Sequence, residues 1–577
     1  MPSSGPSASI HLLPFAQPLA GPPATASWSV TGAEGSQAVT GGGLVGVVNR
    51  EDGLQGLWRG AVRVAGPLTL RLGSATSPLA GTELRVGPGG WERRISVPGG
   101  MILFERGVLP DSAPAPLLHW SWEGPSPEGE PVLLHLALAA STGEVSRQDV
   151  YGLEGPLGPD GLGVALLPPG EELESLRRRI HPPHARELAR HRRGGAGREE
   201  AESSGSGPAG GSFGGPHPGG LHLVADGRSL DRAGLILAGA ALGTDGDGRP
   251  TAPFLLGLVE GAPVLASGSA LAELGLGAFC GGRAELGWAM LEALAGEDAA
   301  PPLPLLHLAG EAAAWTGALP RLVRLRPALD AAMDHLLEVA EDGESTPPPA
   351  AHPGPLLVLE RLAGGVERGG GGWREAILEV RQAMARSLRS DSPAGSAASK
   401  GVRLPVLGGS PSNVPAPEAD RPAHLPPPWA FAPLDAPVTA PRRTLHAARL
   451  LRSWIEGRLG ADPDARYGRL EFTLELRGGP ETLEVDHLQV GDARMGLSCR
   501  LADGVFRFHL FQAGGRAPLT LVFRARVPLA PPLKVRLAQE VVELPVEPLE
   551  GGSGVSLQFP LDPERRIVIE RSVEEGR

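Results

Sequence analysis

The sequence predicts a multidomain α+β protein in which a helical section lies between two β sandwiches. Three observations predict this class. The chain has 577 residues, more than the roughly 250–300 at which a single hydrophobic core usually divides. Short runs with an apolar residue at every second position, separated by Gly and Pro, fill the first and last parts of the chain. Between them the apolar period changes to that of an amphipathic helix.

The first sandwich is predicted over residues 25–165. Runs such as "GAVRVAGPLTLRLG" and "WERRISVPGGMILFERGVL" alternate apolar and polar residues and are broken often by Gly and Pro, which is typical of antiparallel strands. Residues 1–24 come before this pattern, and their repeated prolines predict a disordered N-terminus.

Two segments have the composition of linkers. Residues 166–220 are charged at first and then rich in Gly, and residues 391–440 are dominated by Pro, Ser, Gly and Ala. Such compositions bury too little apolar surface to offset the entropy of ordering, so both segments are predicted to be flexible.

Residues 221–390 are predicted to form a domain of helical hairpins. Leu286, Met290 and Leu294 recur every four residues along one helix face. A second apolar face follows Pro327, which we therefore expect in the first turn of its helix. Short connections between such runs are typical of antiparallel helix pairs.

The end of the chain returns to the strand pattern. Residues 441–465 are predicted to form a helix and a connection, and residues 466–577 a second β sandwich. The runs "RLEFTLEL", "VFRFHLF" and "PLTLVFRA" carry the alternation.

Charge and hydropathy exclude several classes of partner. The formal net charge is −12 and the pI is about 5.7, so no basic field is available for nucleic acid or an anionic membrane surface. No run approaches the ~18 apolar residues of a transmembrane helix. The first thirty residues contain no Lys or Arg and do not resemble a secretory signal. These features predict a soluble cytoplasmic protein.

The sequence lacks complete motifs for binding a cofactor or a metal. Cys280 and Cys499 could form at most one disulfide. His181 and His184 lie close in sequence but are separated by two prolines, with no Cys or Asp to complete a metal shell. The Gly-rich tracts lack the Gly-Lys-Ser/Thr ending of a phosphate loop. We therefore predict neither a metal nor a cofactor.

Three stretches resemble a known family: "GGWERRISVPGGMILFERGVLPDSAPAPLLHWSWEG", "HLAGEAAAWTGALPRLVRLRPALDAAMDHL" and "WIEGRLGADPDARYGRLEFTLELRGGPETLEVDHLQVGDARMGLSCR". Together with the order of β, helical and β sections, they resemble the bacterial glycogen debranching enzymes, the amylo-α-1,6-glucosidase-like members of the six-hairpin (α/α)6 glycosidases. The resemblance implies a toroid of helical hairpins in the middle domain and activity on α-glucan without a cofactor.

The sequence departs from that family in two respects. The family's hairpin turn usually reads Thr-Gly-Asp, whereas here Thr316 and Gly317 are followed by Ala318. About eight or nine segments have helical periodicity, fewer than a complete toroid of six hairpins requires. We therefore expect an incomplete (α/α)6 domain. The family's Glu-Arg pair corresponds to Glu105 and Arg106.

Glycoside hydrolysis normally takes two carboxylates, and in an inverting site they stand roughly 6.5–9.5 Å apart. Such residues come from different loops, so spacing alone does not identify them. The acidic residues near predicted helix ends and turns are Asp245, Asp247, Glu260, Glu311 and Glu375. We select Glu311 and Asp247 as the candidate catalytic pair. Ordinary turn chemistry also explains Asp247, and a solvated helix face also explains Glu311.

Aromatic rings can stack on the apolar face of a sugar. Trp315 and Trp373 lie near predicted helix ends and are the candidate substrate-binding residues. Trp288 and Trp454 lie on amphipathic faces, where a core position is expected.

The leading functional hypothesis is a glycogen debranching enzyme-like protein that hydrolyses or binds α-glucan or another oligosaccharide. The alternative is a relative that has lost its active site and serves as a non-catalytic carbohydrate-binding or scaffolding protein. Ala318 and the low helix count favour that alternative. A third hypothesis is a structural protein whose helices form a simple bundle.

Overall fold

The structure is a computed structural model. It describes residues 9–12, 22, 27–30, 35–72, 79–110, 115–124, 133–138, 151–156, 162–167, 220–341 and 442–572, with gaps of one to three residues in the longer ranges. Contacts divide the chain into two compact units. The first unit combines residues 1–218, 238–265 and 437–444, and the second combines residues 219–237, 266–436 and 445–577.

Strands make up most of the regular structure in the described residues. In chain order they are β1 (Ser9–Leu12), β2 (Trp28–Ser29), β3 (Gln37–Gly41), β4 (Leu44–Asn49), β5 (Gly53–Arg59), β6 (Val62–Ala65), β7 (Leu68–Leu72), β8 (Glu83–Gly87), β9 (Gly90–Val97), β10 (Met101–Val108), β11 (Leu117–Glu123), β12 (Leu133–Leu138), β13 (Tyr151–Pro156), β14 (Leu162–Leu167), β15 (His222–Ala225), β16 (Arg228–Ser229), β17 (Ala241–Thr244), β18 (Pro250–Val259), β19 (Ala262–Leu265), β20 (Asp462–Asp464), β21 (Arg469–Glu475), β22 (Thr482–Val490), β23 (Ala493–Ala502), β24 (Val505–Gly514), β25 (Leu519–Val527), β26 (Leu533–Leu537), β27 (Glu540–Val542), β28 (Glu547–Leu549), β29 (Gly552–Leu561) and β30 (Glu564–Arg571).

Helices are fewer. Those in the described part are α1 (Asp231–Ala238), α2 (Gly268–Cys280), α3 (Ala284–Ala295), α4 (Pro302–Thr316), α5 (Leu319–Glu341) and α6 (Arg443–Arg452). A π-helical segment, Ser453–Arg458, continues α6, and a short 3-10 helix spans Ala465–Tyr467. The protein is thus a mixed fold with much sheet and few helices. A closed helical toroid is not shown by the described residues.

The first unit is built from antiparallel sheets. Seven strands lie in the order β1-β14-β11-β10-β9-β8-β2, four in the order β3-β4-β5-β6 and three in the order β13-β12-β7. Side chains from all three sheets, Trp91 and Trp120 among them, meet in one core. Period-two alternation predicted strands here because each of these sheets has one face on that core.

Strands β17, β18 and β19 form a further three-stranded sheet in the first unit. The sequence pattern predicted helices here, so this part of the prediction was wrong. In "APFLLGLV" the apolar residues are consecutive, and a short continuous apolar run fits a buried strand as well as a helix. The first helix that is followed directly by another helix is α2.

The second unit contains two sheets near the end of the chain. Their strand orders are β16-β15-β22-β23-β24-β30-β26-β27 and β20-β21-β25-β29-β28. The rings of Phe508 and Phe523, one from each sheet, lie 5.0 Å apart between centroids, so the sheets share a core. One pair in these sheets, β21 with β25, is parallel. The chain forms β22 to β24 in the other sheet before it returns, which supplies the long crossover that a parallel pair requires.

Helix α5 contains Pro327 in its interior, not in its first turn as predicted. The helix begins at Leu319, directly after the turn that ends α4. Val323, whose carbonyl would accept the missing proline N–H, is 64% exposed, so water can reach that carbonyl. Exposure lowers the cost of a proline at this position.

Helices α2 and α6 approach each other closely at Gly277. A Cβ atom built on Gly277 would lie 2.5 Å from Ala448 Cβ and 2.6 Å from Ala448 Cα. We expect Gly277→Ala to lower the free energy of unfolding by about 1–3 kcal/mol, because the two backbones must separate. Gly457→Ala is the control, since nothing lies within 4 Å of a Cβ there. Equal urea midpoints for the two variants would contradict the close packing.

Candidate functional site

The turn between α4 and α5 closes through its own backbone. Gly317 adopts the left-handed conformation with φ of 65°, and its N–H donates to the Ala313 carbonyl at 2.9 Å. The N–H of Ala318 donates to Thr316 Oγ at 3.2 Å. This ending needs the freedom of glycine at position 317. It does not need the carboxylate that the debranching family has in place of Ala318.

Trp315 is a core residue of α4. It is 2% exposed, and its indole Nε1 is buried without a hydrogen-bond partner in the described part of the chain. Its carbonyl accepts a hydrogen bond from the Gly491 N–H at 2.7 Å. The ring therefore offers no open face for a sugar in this structure. Trp373, the other predicted sugar-binding residue, lies outside the described residues. Trp288 and Trp454 are buried as expected, at 1% and 4% exposure.

Glu311 lies one turn before Trp315, and its side chain is 13% exposed. It belongs to a polar group between helices that we call the Arg452 cluster, which consists of Cys280, His307, Glu311, Arg452 and Glu456. His307 Nε2 lies 3.9 Å from Glu311 Oε1. Arg452 donates to Glu456 Oε2 at 2.7 Å, and the Cys280 thiol donates to Glu456 Oε1 at 3.2 Å. The Glu456 carboxylate, in the π-helical segment, is therefore hydrogen-bonded both to α2 through Cys280 and to α6 through Arg452.

Electrostatics identify Arg452 as the central charge of the cluster. Burial alone would lower the pKa of Arg452. Nearby negative charges, including those of Glu456 and Glu311, outweigh the burial, so the pKa of Arg452 lies above its usual value. Burial raises the pKa of the Cys280 thiol well above normal, and Glu456 adds to the effect. The thiol is therefore protonated and acts as a donor. Arg452 remains a cation between acidic groups.

His307 is uncharged at neutral pH. Burial, with a smaller contribution from the Arg452 guanidinium, lowers the pKa of His307 to about 3. The short distance between His307 and Glu311 fits an ion pair by geometry alone. The burial decides against an ion pair, because a 5% exposed imidazole beside a guanidinium does not hold a proton at neutral pH. His307 is therefore a neutral neighbour of Glu311.

Glu456 lies within the π-helical segment Ser453–Arg458. Single π-helical turns are rare and are found often at functional sites. Sequence reasoning predicted the buried face of this segment from Leu451, Ile455 and Leu459, which are 1%, 0% and 0% exposed. It missed Arg452 and Glu456, although their spacing of four residues is typical of a helical ion pair.

The loop that contains Asp247 connects strands β17 and β18. Asp247 itself lies outside the described residues, as do Glu260 and Glu375. Asp245 accepts a hydrogen bond from the Arg249 N–H at 2.9 Å, and its own N–H donates to the Arg249 carbonyl at 2.9 Å. Asp245 therefore closes a hairpin turn, the ordinary role of Asp in such a loop.

Glu105 and Arg106 do not pair with each other. In the register of β9 and β10, Glu105 lies opposite Arg93, and Arg106 lies opposite Glu92. Glu105 accepts from Arg93 Nη2 at 2.7 Å and from the indole N–H groups of Trp91 and Trp120 at 3.2 and 3.3 Å. Arg93 and Glu105 are 0% and 2% exposed. We interpret this network as part of the core of the first unit.

The described residues offer neither a metal centre nor a membrane-spanning helix. They contain no group of three or more His, Cys, Asp or Glu side chains placed to hold a metal ion. None of their helices has the length and apolar character needed to cross a membrane. Both cysteines are buried and free.

Comparisons with known proteins add little to this geometry. No protein-family model and no curated protein sequence matches the chain. Among solved structures, the chain is similar to a bacterial glucoamylase complexed with acarbose. The two are 9% identical, the alignment covers 66% of this chain and 70% of that chain, and the TM-score is 0.36. A TM-score this low does not establish a shared fold.

Proposed function

We propose that this protein is a glycoside hydrolase-related protein that binds α-glucan, and that the Arg452 cluster stabilises its helices and does not cleave a glycosidic bond. The substrate class comes from the three stretches that resemble the debranching family. The order of elements along the described chain agrees with that resemblance, since strands come first, α2 to α6 follow, and two packed sheets come last.

Two observations carry the proposal: Glu311 lies in the electrostatic field of Arg452, and Trp315 is buried. A catalytic acid must give a proton to the glycosidic oxygen, so it needs an environment that favours its neutral form. Arg452 interacts electrostatically with both Glu311 and Glu456, so the two carboxylates balance the charge of a buried guanidinium. Trp315 is covered. This arrangement supports a role for the cluster in packing and charge balance.

Hydrolysis of α-glucan is the second candidate function. In its favour, Glu311 retains 13% side-chain exposure and Glu456 retains 27%, so solvent reaches two carboxylates of one cluster. Paired carboxylates are what a glycosidase requires. Under this hypothesis Glu311 acts on the glycosidic oxygen, and Glu456 is the second carboxylate of the pair.

Variants of the full-length protein distinguish the two functions. We expect Glu311→Gln and Asp247→Asn to bind glycogen as tightly as the unaltered chain and to release glucose or malto-oligosaccharide at the same rate as it does. Glu338→Gln, on the exposed end of α5, is the control, with a side chain 77% exposed. Loss of hydrolysis by about 10²–10⁴-fold in Glu311→Gln, the usual cost of removing a general acid, would instead establish the enzyme.

A further inference from the structure

The hairpin that joins β20 to β21 presents an exposed aromatic ring. Its loop consists of the 3-10 helix Ala465–Tyr467 and Gly468, and Tyr467 is 75% exposed. We propose that Tyr467 stacks on a sugar of the bound α-glucan, and that Asp464 and Arg466 hydrogen-bond to the hydroxyls of the same sugar. This assignment rests on the proposed function, since it names the residues at which the glucan binds.

Exposure distinguishes Tyr467 from the other aromatic residues. Among the large apolar side chains that the described residues expose, Tyr467 is the only aromatic one, and the others are valines. Trp288, Trp315 and Trp454, the tryptophans in the described part of the second unit, are each 4% exposed or less. A sugar can pack only on a ring face that is uncovered. Tyr467 therefore offers the exposed ring that Trp315 does not.

The backbone of the loop is fixed at both ends. Strand pairing places Asp464 opposite Arg469, and the Gly468 N–H donates to the Ala465 carbonyl at 3.2 Å. Gly468 adopts the left-handed conformation with φ of 57°, and its carbonyl accepts from the Thr520 N–H at 2.7 Å. A loop that is already ordered loses less conformational entropy when a ligand binds to it.

Two charged side chains lie beside the ring. Arg466 donates from Nε and Nη2 to the two carboxylate oxygens of Asp464, at 3.1 and 3.4 Å. The guanidinium carbon of Arg466 lies 5.5 Å from the centroid of the Tyr467 ring. Asp464 and Arg466 remain 24% and 12% exposed, so solvent reaches both the acceptor and the donor.

This combination of groups decides the class of ligand. A pyranose has an apolar face, which packs on an aromatic ring, and a rim of hydroxyls, which both donate and accept hydrogen bonds. The carboxylate of Asp464 accepts from such hydroxyls, and the guanidinium of Arg466 donates to them. One aromatic ring beside a fixed acceptor and a fixed donor therefore matches a neutral sugar.

Affinity electrophoresis of the full-length protein in gels that contain glycogen tests the assignment. We expect Tyr467→Ala to raise the dissociation constant for glycogen about tenfold or more, because it removes the ring face. Tyr467→Phe keeps that face and should bind nearly as tightly as the unaltered chain. Val541→Ala is the control, because it truncates a 58% exposed side chain on β27, the last strand of the other sheet. We expect it to leave the affinity unchanged.

The outcomes separate this assignment from the proposed function. If the unaltered chain binds glycogen and Tyr467→Ala binds it equally well, the assignment is wrong and α-glucan binding stands. If the unaltered chain does not bind glycogen, both are wrong. A loss in Tyr467→Phe as large as that in Tyr467→Ala would contradict stacking, because the ring is still present. Urea midpoints equal to that of the unaltered chain show that the variants are folded.

Discussion

Glu105→Leu should destabilise the first unit by about 3–5 kcal/mol. The substitution leaves Arg93, which is 0% exposed, as a buried charge without its carboxylate, and breaking a buried pair in this way costs about that much. The indole N–H groups of Trp91 and Trp120 lose their common acceptor as well. Urea unfolding followed by tryptophan fluorescence measures the effect, because these two rings report on the same core.

A neighbouring pair provides the matched control. Glu92 and Arg106 pair at 2.6 Å on the same two strands, but their side chains are 20% and 22% exposed. We expect Glu92→Leu to cost about 1 kcal/mol or less, since an ion pair near the surface is screened by water. The double variant Arg93→Met with Glu105→Leu should recover much of the loss, because it removes both buried charges. Equal effects of Glu105→Leu and Glu92→Leu would contradict the assigned network.

His307 should make the second unit sensitive to acid. Its pKa in the folded protein is about 3, whereas an imidazole in the unfolded chain titrates near ~6.5. As the pH falls below ~6.5 the unfolded state takes up the proton first, so the stability present above that pH is lost progressively toward pH 3. Between pH 6.5 and pH 4 the loss amounts to about 3 kcal/mol.

Comparison of His307→Leu with the unaltered chain isolates this effect. The variant has no proton to take up, so its stability should fall less over the same pH interval. His335→Leu is the control, because that side chain is 59% exposed on α5. Parallel plots of unfolding free energy against pH for His307→Leu and the unaltered chain would show that His307 is not the titrating group.

The sequence predicted correctly those strands that have one face in the core and the other face exposed to solvent. In β21, Leu470, Phe472 and Leu474 are all 0% exposed and alternate with partly exposed residues, so period two is visible in the sequence. Strand β18 lacks that contrast because four successive residues are buried. Its apolar run reads as helix or strand, and only tertiary packing selects between them.

The site was harder to predict for a different reason. Glu311 was expected near the end of a helix and lies in α4, but its surroundings come from distant parts of the chain. Cys280 and Glu456 are 176 residues apart, and no local pattern indicates that they meet. Trp315 was expected to bind a sugar, but it is buried by the packing of α4, which the spacing of its residues alone did not determine.

Equilibrium binding of the unaltered full-length protein to glycogen tests the central claim most directly. Affinity electrophoresis through gels that contain glycogen, with dextran and cellulose as polysaccharide controls, measures it without reference to any reaction. We predict retardation that increases with glycogen concentration, is competed by malto-oligosaccharide, and is the same for Glu311→Gln. Migration in glycogen identical to that in dextran and cellulose would contradict α-glucan binding and with it the proposed function.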